Sequence, residues 1–156
     1  MSSMTFGLSC SLESFWIPSQ LVQSSIAQGA KCILGAEIKD CYYIPTLLID
    51  VTEDMSVFRK ETFGPVFCVT KIKDVDDAIR LANNSKYGLG GSLWTSNIKL
   101  AKEIVKQINT GAVFVNEMSK SDPRLPFGGI NKSGYGRELS DFGLREFVNV
   151  KTIYIK

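Results

Sequence analysis

The sequence predicts an α/β protein, a mainly parallel sheet with flanking helices followed by a separate C-terminal strand. Three observations carry that reading. Short β-branched and aromatic runs alternate with segments of helical periodicity, two good N-cap residues (Asp74 and Asn97) stand before those periodic segments, and Gly or Pro punctuates the joints. Strands joined by helices of this length need crossover connections, which favour parallel pairing with both sheet faces covered.

From Gln20 to Ala30 the apolar positions Leu21, Val22, Ile26 and Ala27 keep near-helical spacing, and Gly29 marks the end. Cys32-Ile33-Leu34 then reads as a short strand. Thr46 to Val51 is a second, bounded by Pro45 and by Thr52-Glu53-Asp54, and Val66 to Ile72 is a third. Asp74 caps a helix from Val75 to Asn83, with Val75, Ala78, Ile79 and Ala82 on one face that must pack on a sheet. Gly91 to Thr95 is the next strand. Asn97 caps a helix carrying Ile98, Ala101, Val105 and Ile108, Gly111 closes it, and Ala112 to Val115 returns as a strand. Between Asn116 and Arg137 the glycines and prolines are too dense for long regular elements, so a shaped loop of the kind that serves a site is expected there. The alternation from Phe147 to Ile155 suits a strand that needs a neighbouring edge.

Composition excludes several functions. The 156 residues are 44% hydrophobic and 22% charged, the makeup of one ordinary soluble domain, and the net charge of +2 is scattered, which disfavours a nucleic-acid partner. Met1 to Ser19 lacks a basic start and a long apolar run, so neither a signal peptide nor a membrane span is expected, and a cytoplasmic location follows. With no histidine and no paired cysteine spacing among Cys10, Cys32, Cys41 and Cys68, no metal site and no His-activated nucleophile are expected. Cys32, Cys41 and Cys68 lie on or beside strands and read as packing residues.

The most informative stretch is Glu61-Thr62-Phe63-Gly64-Pro65-Val66. A carboxylate can accept two hydroxyl hydrogen bonds, an aromatic ring can pack on a heterocycle, and Gly-Pro bends the chain behind them. Alone, these residues fit equally well a surface acid beside a core aromatic. Four further motifs follow in order: Lys86-Tyr87-Gly88-Leu89, Gly111-Ala112-Val113-Phe114-Val115-Asn116, Pro126-Phe127-Gly128-Gly129 and Ser133-Gly134-Tyr135-Gly136-Arg137-Glu138. In this order and spacing the chain, from Gln20 to the end, resembles the C-terminal part of the NAD(P)-dependent aldehyde dehydrogenases, most of all the succinate-semialdehyde dehydrogenases.

That resemblance implies a partial catalytic domain over 20–146, an atypical segment over 1–19 and an oligomerisation strand over 147–156. It also implies an oxidoreductase chemistry, aldehyde to carboxylate with NAD or NADP, on a small aldehyde. Glu61 would hold the nicotinamide ribose hydroxyls and Phe63 would pack against the nicotinamide region. Ser121 would meet the distal carboxylate of the substrate with Arg124 as a charge-assisted partner, and Phe127 would wall the aldehyde tunnel or, just as well, anchor the Gly128-Gly129 turn. The family's nucleophile is a Cys in a Gly-Gln-x-Cys setting. Gly7-Leu8-Ser9-Cys10 echoes it, but Leu8 replaces Gln and Cys10 lies much closer to Glu61 than the family leaves it, so Cys10 reads as a small packing or unordered residue rather than the nucleophile. The family's Rossmann-like cofactor domain and its catalytic base also fall outside this sequence. The chain alone is therefore expected to be inactive or nearly so, to bind cofactor weakly and to form homo-oligomers; the alternative is a non-catalytic self-associating or partner-binding module.

Overall fold

The computed structural model describes residues 12–40 and 42–156, with side chains from residue 17 onward. The chain divides into two compact units, Met1–Lys73 and Asp74–Lys156.

In the first unit, α1 (Leu12–Ala27) begins well before the helix read from Gln20 onward, and it contains Pro18. Its C-terminus is the expected one. Gly29 adopts φ 110°, its N–H donates to Ile26 O and the Ala30 N–H donates to Ser25 O, which ends the helix in a Schellman turn. Then come β1 (Lys31–Leu34), a hairpin of β2 (Ile38–Lys39) and β3 (Tyr42–Tyr43), β4 (Thr46–Ile49), a single turn of helix α2 (Ser56–Arg59), and β5 (Val66–Cys68). The sheet order is β1-β4-β5, with β4 antiparallel to β1 (Cys32 opposite Leu48) and parallel to β5 (Leu48 opposite Cys68).

Leu21, Val22, Ala30, Tyr43, Leu48, Val51, Met55 and Val57 form the core of this unit. Ser25 is fully buried among them: its Oγ donates to Leu21 O at 2.9 Å and accepts from the Val57 N–H at 3.2 Å, tying α1 to α2. A buried hydroxyl and a buried amide are thereby both satisfied.

In the second unit, α3 (Val75–Asn83) begins at Asp74, whose side chain accepts from the Asp77 N–H. Next are β6 (Gly90–Leu93), α4 (Ile98–Ile104), which Asn97 caps by accepting from the Leu100 N–H and which runs into a 3-10 turn over Val105–Gln107, and β7 (Ala112–Val115). β6 and β7 pair in parallel, Gly90 opposite Ala112 through Leu93 opposite Val115, with α4 as the crossover. After a 3-10 turn at Asn131–Ser133 comes α5 (Ser140–Arg145).

The α/β class stands, and the details differ from expectation. Parallel pairing does not dominate, because β1 and the β2-β3 hairpin are joined to their partners by short antiparallel connections. The α3 face buries no residue, Val75 included. Residues 149–156 carry no regular secondary structure, and Phe147, Val150, Ile153, Tyr154 and Ile155 are all exposed. A terminal strand draws its hydrogen bonds from a neighbouring edge, and among the described residues none pairs with 149–156.

Candidate functional site

In the first unit, α2 ends at Lys60 with an extended backbone and releases Glu61 to Pro65 as a short connection into β5. Two hydrogen bonds fix its exit: Thr46 N–H to Pro65 O and Val66 N–H to Gly64 O, both 2.8 Å, the latter closing a three-residue turn about Pro65. A Cβ at Gly64 would sit 3.0 Å from the Pro18 ring, so α1 and this connection meet closely there. Phe63 sits at φ 48°, a conformation that costs an aromatic residue steric energy, and its ring is 78% exposed rather than in a core. Glu61 is exposed as well and takes no hydrogen bond or ion pair among the described residues. An unspent carboxylate and an unspent ring thus stand two residues apart on a tethered segment, able to accept hydroxyl hydrogen bonds and to pack on a flat ring.

In the second unit, β7 and the loop after it line an open cleft of about 330 Å³. Its floor is apolar (Ala112 through Val115, Leu125, Pro126, Phe127), and Glu117, Lys120 and Asp122 bring charge to it. The loop is stitched down at several points. Phe127 and Glu138 exchange N–H···O bonds of 2.8 and 2.7 Å, Ser140 N–H reaches Pro123 O, and Arg137 Nη1 donates to Gly129 O and Gly136 O. Beneath it Gly111 passes so close to Gly128 O that no side chain fits, and the Ser92 Oγ on β6 accepts from the Ser119 N–H.

Of the three substrate-side residues read from the sequence, only Phe127 lines the cleft; Ser121 and Arg124 stand off the lining. Arg124 is 85% exposed at its side chain and grips Asp122 through Nε at 2.9 Å and Nη2 at 2.6 Å, while its own N–H also donates to Asp122 Oδ1. The guanidinium beside it holds the Asp122 carboxyl well below the usual carboxylate range. Lys120 likewise pairs with Glu117 at 2.9 Å and lowers that carboxyl. Asp122, Glu117 and Lys120 were not singled out by the sequence reading, although the Asp-Pro-Arg spacing was a usable sign of a local clasp.

Cys10 and Cys41 lie outside the described residues. Cys32 and Cys68, expected as packing, are instead exposed, because β1 and β5 are the sheet's two edges. Partial burial pushes the Cys68 thiol up, away from the thiolate, and the Cys32 Sγ points its hydrogen at Leu34 O. Among the described residues no three His, Cys, Asp or Glu side chains gather as a metal site, and no helix is long and apolar enough to cross a membrane.

The aldehyde dehydrogenase family profile matches residues 11–153. The chain belongs to the aldehyde dehydrogenase family. Among curated family members it is 47% identical to a probable succinate-semialdehyde dehydrogenase [NADP(+)] of Synechocystis sp., over 86% of this chain and 30% of that protein. It is 44% identical to the Escherichia coli K12 succinate semialdehyde dehydrogenase [NAD(P)+] Sad, over 85% of this chain and 29% of the other. The chain thus spans about 30% of the length of these relatives. Among solved family structures, the succinic semialdehyde dehydrogenase of Streptococcus pyogenes in complex with NADP+ superposes with a TM-score of 0.86 at 39% identity, covering 93% of this chain and 32% of that one. The lactaldehyde dehydrogenase of Escherichia coli gives 0.88 at 32% identity, over 93% and 31%.

Proposed function

We propose that this chain supplies the C-terminal part of an NAD(P)-dependent succinate-semialdehyde dehydrogenase site. The observation that carries the reading is the exposed Glu61–Phe63 pair on its tethered connection, in a chain whose curated relatives named above are succinate-semialdehyde dehydrogenases. When bound, the nicotinamide supplies the hydride acceptor for oxidation of aldehyde to carboxylate. Glu61 accepts hydrogen bonds from the ribose hydroxyls and Phe63 covers the nicotinamide region, while Phe127 walls the aldehyde and Ser121 and Arg124 face its distal carboxylate. The nucleophile and the base come from sequence beyond these residues. On this reading the chain alone turns over little or no aldehyde, and among the described residues neither Cys32 nor Cys68 has an activating base beside it.

The second reading, a self-associating module, is favoured by the exposed apolar run Phe147, Val150, Ile153, Tyr154 and Ile155, which would become an oligomerisation strand on a partner's sheet edge. Under either reading the domain division is 1–19, 20–146 and 147–156, and the location is cytoplasmic. The test joins this chain to the remaining N-terminal portion of the Synechocystis relative and follows NADP+ reduction with succinate semialdehyde. Turnover by the fusion with none by the chain alone supports the dehydrogenase reading. A folded fusion without turnover, together with discrete oligomers of the chain, refutes it in favour of the module.

A further inference from the structure

Asp122 is bound as a substrate carboxylate would be. Its two oxygens meet Arg124 Nε and Nη2 side by side, the fork geometry by which arginine recognises carboxylates. Pro123 between them fixes the backbone, and Leu125 N–H donates to Asp122 O at 2.9 Å, so the clasp forms with little loss of freedom. The two ends differ in exposure: the Asp122 side chain is 15% exposed and lines the cleft, whereas Arg124, held to it, is 85% exposed and off the lining. The cation in the cleft lining, Lys120, is committed to Glu117. An entering carboxylate therefore finds no unpaired cation among the described lining residues.

We propose that Asp122 is an internal competitor for Arg124, occupying the guanidinium fork that a ligand carboxylate would take, and thereby sets how strongly this cleft accepts carboxylate-bearing aldehydes. This rests on the succinate-semialdehyde reading of the same cleft. The exchange is reversible: Arg124 turns from Asp122 to the ligand, and the released Asp122 carboxylate stays in the cleft lining while Lys120 keeps its pair with Glu117. Exposed ion pairs are weak enough to swap in this way.

The test measures Kd for succinate, and for uncharged butyramide, on the full chain by nitrogen-15 NMR, following the Arg124 Nε–H and the Phe127 amide. Asp122→Asn is expected to tighten succinate about fivefold, the factor carried by an exposed ion pair, and to leave butyramide unchanged. Adding Arg124→Gln is expected to abolish the gain. Glu117→Gln removes a charge from the same cleft without freeing Arg124, and is expected to change succinate binding less than twofold, roughly the limit for a rim charge already paired. Equal tightening in Glu117→Gln, or no succinate binding in Asp122→Asn with native spectral dispersion, overturns the proposal. In the fusion enzyme, turnover whose KM for succinate semialdehyde ignores Asp122→Asn sinks this proposal alone, whereas absence of turnover sinks the substrate reading.

Discussion

Ser25 links sequence to packing through one oxygen. It is fully buried and serves both the Leu21 carbonyl and the Val57 amide, so Ser25→Ala leaves a buried N–H without a partner. A loss of about 1–3 kcal/mol is expected in denaturant unfolding, with an unchanged m-value. Gly111 acts by absence of a side chain. The approach of Gly128 O leaves no space for a Cβ, so Gly111→Ala must displace the loop strand and is expected to cost about 2 kcal/mol or more. Asp122 gives a pH signature. Its pKa is depressed in the folded chain by Arg124, so its contribution to stability is present above the unfolded carboxyl pKa of about 3.9 and is lost as pH falls through the lower folded value. Carbon-13 NMR of the carboxyl should show it still ionised where free aspartate is half protonated; Asp122→Asn should remove that behaviour. These residue effects were only partly legible in sequence. Phe63 and Leu139 both adopt positive φ, and nothing in a Phe or Leu announces it, because tertiary contacts impose the conformation.

At the scale of elements, legibility followed the strength of local signals. Val75–Asn83 and Ala112–Val115 have the bounds read from sequence, because the Asp74 cap and the apolar period agree for the helix, and Gly111 and an unbroken apolar run agree for the strand. The caps give a direct check. Asp74→Ala and Asn97→Ala each remove an oxygen that accepts an N–H of the first turn, and each is expected to cost about 1 kcal/mol in thermal or denaturant unfolding. The β2-β3 hairpin and the single-turn α2 escaped the reading, since two residues of strand or four of helix carry no period. β1 was placed as a strand, but its antiparallel pairing with β4 is a long-range choice that composition does not encode. The candidate site behaves the same way. The connection 61–65 was legible as a motif, and Phe127 as an aromatic in a glycine-rich loop. The commitment of Arg124 to Asp122 was not, because competition between two acceptors for one guanidinium is settled by geometry.

For the whole molecule, each unit carries its own candidate feature. The first offers an unpaired carboxylate and a bare ring, and the second an apolar cleft with paired charges at its rim. Large apolar groups left in water, such as Phe63, Phe147 and Tyr154, mark surfaces that other sequence is expected to cover. Family membership and the span of about 30% of the Synechocystis and Escherichia coli relatives fit that picture. Under the proposed function, Glu61 grips the cofactor ribose. The most direct test is the KM for NADP+ of the fusion enzyme carrying Glu61→Gln, with KM for succinate semialdehyde measured alongside. Loss of a charged hydrogen-bond acceptor should raise the cofactor KM about 10- to 100-fold while the aldehyde KM stays within about twofold. An unchanged cofactor KM would contradict that role and return Glu61 to the rank of a surface acid.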